Sequence, residues 1–130
     1  MKQDTRPINV GLADMLSLKW PVTAIASIAH RIAGGILFVG IALMLFALEM
    51  SLSSEAGFES LKEMISRPLG KLITWTLLSA LAYHLVAGVK HLIMDLGFGE
   101  TLNGGIFLAR LTLIFSAILI VIAGIWVYGG

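Results

Sequence analysis

The stretch TAIASIAHRIAGGILFVGIALMLFAL, Thr23 to Leu48, decides the fold. From Ile32 to Leu48 it holds 17 consecutive residues without a charge. Two more uncharged runs follow, Leu72–Val89 with 18 residues and Leu111–Gly130 with 20. Each approaches the roughly 20 residues a helix needs to cross about 30 Å of hydrocarbon. Backbone groups inside lipid must be paired within the chain, and a helix does this within a single segment. With flanking turns added, the runs predict three transmembrane helices near residues 23–50, 69–95 and 106–128. The expectation is an all-α membrane protein, one anchor domain over residues 1–130.

Composition points the same way. Hydrophobic residues make up 58% of the chain and charged residues 13%, with a mean hydropathy of +0.93. Soluble domains carry about 25% charged residues. A net charge of +1 without a lysine or arginine cluster argues against nucleic acid as a partner. Cysteine is absent, which excludes disulfides and thiolate ligands, so any iron–sulfur centre would belong to another subunit. The N-terminal MKQDTRPINVGLADMLSLKWP lacks the apolar core of a cleavable signal, so the first span is expected to be retained.

Positive charge sets the expected direction. Lys2, Arg6, Lys19, Arg31, Lys90 and Arg110 fall on one side, against Lys62, Arg67 and Lys71 on the other. Six against three places the N-terminus in the cytoplasm and the C-terminus outside. The outer connection, SLSSEAGFESLKEMISRP, reads as a short amphipathic helix, with a turn at Ser54, Gly57 and Phe58 and with Pro68 near the second span's start. The inner connection, DLGFGETLNGG, reads as a glycine-rich loop. Its Gly97-Phe98-Gly99 is no dinucleotide fingerprint, because no strand precedes it.

Two polar constellations interrupt this apolar frame. Ser27, His30 and Arg31 stand at i, i+3 and i+4, so they share a helix face at the mouth of the first span. A lone arginine there snorkels to the headgroups. Joined by a hydroxyl and an imidazole it makes a donor-rich cluster, suited to a cofactor's carboxylates or a quinone's oxygens. In the second span His84, Gly88, His91 and Asp95 form one stripe at 4-3-4 spacing. An ionisable group at mid-membrane depth is a functional candidate; its structural alternative is a histidine hydrogen-bonded to another helix.

His84 and His91 are roughly 10 Å apart along a helix axis, too far to share one ion directly. No carboxylate accompanies His84 at helical spacing, which argues against a zinc or di-iron site. Haem needs only one or two axial side chains. Counting depth from the ends of the uncharged runs puts His30 level with His91 and roughly 9–12 Å from His84 along the membrane normal. On that count an axial ligand opposite His84 comes from another chain, and His30, Arg31, His91 and Lys90 are left for the propionates.

Together the two stretches resemble the cytochrome b membrane-anchor subunit of succinate dehydrogenase, of the enterobacterial type. The resemblance rests on Arg6-Pro7 followed by Ser27-x-x-His30-Arg31-x-x-Gly34, on His84-x-x-x-Gly88-x-Lys90-His91-x-x-x-Asp95, and on the linking SLSSEAGFE. It implies that His84 is an axial ligand of haem b, with the opposite histidine on a companion three-helix anchor subunit. It implies that Ser27 and Arg31 line a ubiquinone site beneath the iron–sulfur subunit, and that His30, Arg31 and His91 approach the haem propionates. It further implies a flavoprotein subunit, a role in the tricarboxylic acid cycle and respiratory chain, and a multi-pass position in the bacterial inner membrane. Two positions depart from the pattern: Ala33 stands where a small hydroxyl residue is frequent, and Lys90 where arginine is usual. Lysine lacks the bidentate fork of arginine. The chain is not expected to be an enzyme alone. A proton-coupled transporter or channel subunit is the rival from another class, though it calls for a carboxylate at depth, and Glu49, Asp95 and Glu100 all lie near span ends. A cofactor-free structural anchor is the second rival.

Overall fold

Pro21 fixes where the first helix starts. Its extended backbone (φ −65°, ψ 152°) leaves its carbonyl free to accept from the amides of Ala24 and Ile25 at 3.0 and 3.1 Å. From there the computed structural model, which describes residues 20–130, runs through four helices: α1 (Val22–Ser53), α2 (Glu55–Ser66), α3 (Pro68–Asp95) and α4 (Leu102–Gly129). Among the described residues there is no strand. Arg6 and Pro7 of the first signature, the charges of Lys2 and Lys19, and the N-terminal segment read as lacking a signal lie outside the described residues.

α1, α3 and α4 are all long and apolar enough to cross a membrane. At 32 residues α1 is about 48 Å long, well beyond the hydrocarbon thickness, so part of it extends past the apolar layer. Ser27, His30 and Arg31 lie within its first ten residues.

The expected amphipathic helix is present as α2, and its corners follow the local chemistry. Ser54 is extended and its hydroxyl accepts from the Gly57 amide at 2.9 Å, capping α2. Pro68 occupies the first turn of α3, where its missing N–H has no bond to lose. The loop between α3 and α4 turns on Gly97 and Gly99, at φ +92° and +72°, a left-handed conformation that costs glycine nothing. α4 begins four residues before the expected 106. The Thr101 hydroxyl accepts from the Gly104 amide at 3.0 Å, and this cap draws Asn103, Gly104 and Gly105 into the helix.

The packing is inside-out compared with a soluble protein. α3 packs most extensively on α4 and then on α1. Its contacts are built from small residues, with Ala33, Ala80, Tyr83 and Ala87 forming the core cluster. Large apolar side chains face outward, Phe38 with 80% of its surface exposed. Lipid gives apolar side chains no reason to leave the surface, so close contact of small residues and hydrogen bonds between helices hold such a bundle. Two of those bonds are explicit. The Trp75 indole donates to the Ile120 carbonyl at 2.9 Å, and the Tyr83 hydroxyl to the Ala26 carbonyl at 2.6 Å.

Candidate functional site

α1 and α3 run antiparallel, and three contacts fix their register. Tyr83 reaches Ala26; a methyl group on Gly34 would lie 3.2 Å from Cε1 of His84; Gly40 faces Leu77. Stepping four residues back from Gly34 to His30 therefore corresponds to stepping forward on α3 from His84 to about Gly88. His30 falls between the levels of His84 and His91.

The three imidazoles meet there. The His30 ring stacks on His84 with centroids 4.3 Å apart and planes at 23°, and stands 5.2 Å from His91 at 45°. This corrects the expectation that His30 is far shallower than His84. The ends of α1 and α3 fall close to where the sequence places them; what it does not fix is the register of α1 against α3, which contacts such as Gly34 against His84 set.

The correction removes the depth argument for an external axial ligand and supplies a geometric one. Imidazoles that ligate one metal from opposite sides point their nitrogens at each other across two bonds of about 2 Å. Stacked rings hold their in-plane lone pairs in nearly parallel planes, so they do not meet head-on. His30 and His84 as arranged do not form such a pair.

Two ring nitrogens, Nδ1 of His84 and Nε2 of His30, are buried with no hydrogen-bond partner among the described residues. Leaving a polar atom so costs about 1–3 kcal/mol. A haem b fits these residues: His84 is a mid-span imidazole with an unclaimed buried nitrogen, and the absence of a side chain at Gly34 makes room for its ring. Gly88 also faces open space. Among the described residues no group of three His, Cys, Asp or Glu side chains could hold a metal ion alone.

Ser27 is half-buried and Arg31 exposed, one turn apart on α1 and adjacent to His30. An exposed guanidinium one turn from a hydroxyl can bind a carbonyl or anion that reaches it from outside the chain. Glu49 and Asp95 sit in the last turns of α1 and α3, and Glu100 in the connection to α4, so none stands mid-span.

Sequence reasoning missed one participant and misplaced a second residue. Tyr83 locks the register of α1 against α3, and the signal was its place at 3-4 spacing between the small residues Ala80 and Ala87. Lys90 is only 8% exposed, beside Val86, Thr112 and Phe115 in the contact between α3 and α4. Its position beside His91 in the sequence had suggested the histidine face. One helical step of about 100° carries it round to α4.

The sequence matches the family of succinate dehydrogenase/fumarate reductase transmembrane subunits over residues 3–125. It is 39% identical to the succinate dehydrogenase cytochrome b556 subunit of Coxiella burnetii, across 95% of this chain and 97% of that protein. The cytochrome b556 subunit of Paracoccus denitrificans is 35% identical over 72% of this chain and 81% of its own. The cytochrome b560 subunit of Reclinomonas americana is 36% identical over 70% and 67%.

Proposed function

The chain belongs to the succinate dehydrogenase/fumarate reductase transmembrane-subunit family, and from that premise we propose that His84 ligates haem b and that Ser27 and Arg31 form part of a ubiquinone-reduction site. As a cytochrome b anchor of succinate dehydrogenase it works with an iron–sulfur and a flavoprotein subunit, and pairs with a companion hydrophobic anchor with which it would share the haem. Its N-terminal end faces the cytoplasm of a bacterial inner membrane. The observation that carries the reading is the buried, unpartnered ring nitrogen of His84 in the middle of α3.

Bound haem supplies one-electron redox chemistry, tuned by its axial ligands and surroundings. The chain's own residues do the rest. His84 is held by the Gly34 backbone on one side and by the His30 ring on the other. His30 and His91, in ring contact, and Arg31, next to His30 in the chain, would offer donors and positive charge to the haem's propionates.

At the mouth of α1 the Ser27 hydroxyl donates to one quinone carbonyl. Arg31 stabilises the negative charge that grows on the oxygens as electrons arrive, a fixed cation placed before the charge exists. Both stand where α1 leaves the apolar layer, within reach of water that replaces the protons consumed.

The test is the reduced-minus-oxidised spectrum of the assembled complex beside its quinone reductase activity. A b-type spectrum is expected in the wild-type complex. A colourless, fully active complex would overturn the haem assignment.

A further inference from the structure

The contact between α1 and α3 changes character along its length. Toward the middle of α1, Gly40 takes the Leu77 side chain and Gly34 faces the His84 ring. Nearer the start of α1 the contacting residues are Ala26, Ala29 and Ala33, which meet Ala80, Tyr83 and Ala87 of α3. Small residues bring two backbones close, but methyl groups carry no direction. The Tyr83 hydroxyl supplies it there, donating to the Ala26 carbonyl at 2.6 Å. Both partners are buried, Tyr83 at 8% exposure and Ala26 at 0%. A phenylalanine would fill the same space, so what the hydroxyl adds to the packing is direction.

The acceptor is well placed to pass that direction on. In a helix the Ala26 carbonyl also accepts from the His30 amide one turn later, and Ser27 follows Ala26 directly. The bond therefore grips the same turn that carries Ser27, His30 and Arg31. The other faces of this stretch are open, with Ile25, Ile28 and Ile32 all exposed, so within the chain they restrain it little. On α3 the donor is the residue before His84. One hydroxyl thus ties the backbone beside the histidine to the backbone beside Ser27.

We propose that Tyr83 is a positioning residue for quinone reduction: by fixing the Ala26 carbonyl, its hydroxyl holds Ser27 and Arg31 where the quinone is met. The inference rests on the reading of Ser27 and Arg31 as quinone-site residues. Without the bond, the first turns of α1 shift against α3, the site is aligned for a smaller fraction of the time, and apparent affinity falls by that fraction. Hydrogen bonds between membrane helices are modest, so the expected fall is about three- to fivefold. A bond that served stability alone would act differently. Its loss would lower the amount of intact complex, and with it the saturated rate, and leave KM unchanged.

The experiment compares two single-bond deletions in the assembled complex. Tyr83→Phe removes the bond between α3 and α1, and Trp75→Phe removes the Trp75–Ile120 bond between α3 and α4. KM and kcat are measured with a short-chain ubiquinone analogue, beside succinate oxidation by a soluble dye and the haem spectrum. Tyr83→Phe is expected to raise the quinone KM about three- to fivefold, with dye activity and haem content at wild-type level. Trp75→Phe is expected to leave that KM unchanged. An unchanged KM in Tyr83→Phe would overturn the proposal. So would an equal rise in Trp75→Phe, since general loosening of the bundle would then account for both. Arg31→Ala, measured alongside, separates this inference from its premise. If Arg31→Ala loses quinone reduction while Tyr83→Phe keeps its KM, the positioning role alone falls; if Arg31→Ala reduces quinone normally, both fall.

Discussion

The two ends of this helical bundle handle polar groups in opposite ways. At the α2 end every serine near the corner finds an acceptor or donor within its own turn. Ser51 donates to the Leu48 carbonyl, Ser53 to Met50 and Ser66 to Lys62, each at 2.7–2.8 Å, and Ser54 caps α2. Its ion pairs are local and exposed, and such pairs contribute at most about 1 kcal/mol. At the histidine end buried polar atoms are unmatched: Nδ1 of His84 and Nε2 of His30 lack partners among the described residues. One end is self-sufficient. The other is shaped around groups that other molecules bring, and that asymmetry separates structure from function here.

Substitutions at the two ends test the contrast. Arg31→Ala should have the largest effect, lowering quinone reduction about 10²–10³-fold, as does removal of other fixed groups that stabilise an oxyanion. Succinate oxidation by a soluble dye should persist, because it bypasses the quinone. Equal loss of both activities would mean that Arg31 serves assembly instead.

Gly34→Leu comes next. Even an alanine Cβ would sit 3.2 Å from Cε1 of His84, so a leucine must displace the ring. Haem content per complex should fall severalfold and the remaining absorbance band should shift; an unchanged spectrum would detach Gly34 from the site. Tyr83→Phe removes one hydrogen bond between helices, for which about 0.6–1 kcal/mol of stability is expected. Thermal unfolding of the complex reads this directly, and a much larger loss would show that the bond holds more than register. Glu63→Gln, at the self-sufficient end, should change stability by less than about 1 kcal/mol and turnover not at all.

The same contrast explains what the sequence disclosed. Three spans were legible because lipid imposes length and continuity on an apolar run. The amphipathic α2 was legible because Ser54 and Pro68 bound it, and the faces of Ser27, His30, Arg31 and of His84, His91 follow from helical spacing alone. Depth was not legible. It depends on which residues of α1 and α3 touch, and Gly34 against His84 and Tyr83 against Ala26 are contacts between distant parts of the chain. The burial of Lys90 was hidden for a related reason, since its neighbours on α4, Thr112 and Phe115, lie more than twenty residues away. The early start of α4 turned on a single hydroxyl, Thr101, within what composition marked as a loop.

Because His30 and His84 are in contact, the measurement that tests the ligand assignment most directly is a paired spectrum. His84→Ala and His30→Ala complexes are purified side by side, and their reduced-minus-oxidised difference spectra are compared with the wild type. His84→Ala is expected to lose the b-type absorbance, and His30→Ala to keep it with an altered midpoint potential. The reverse pattern, absorbance lost with His30 and retained without His84, would contradict the account.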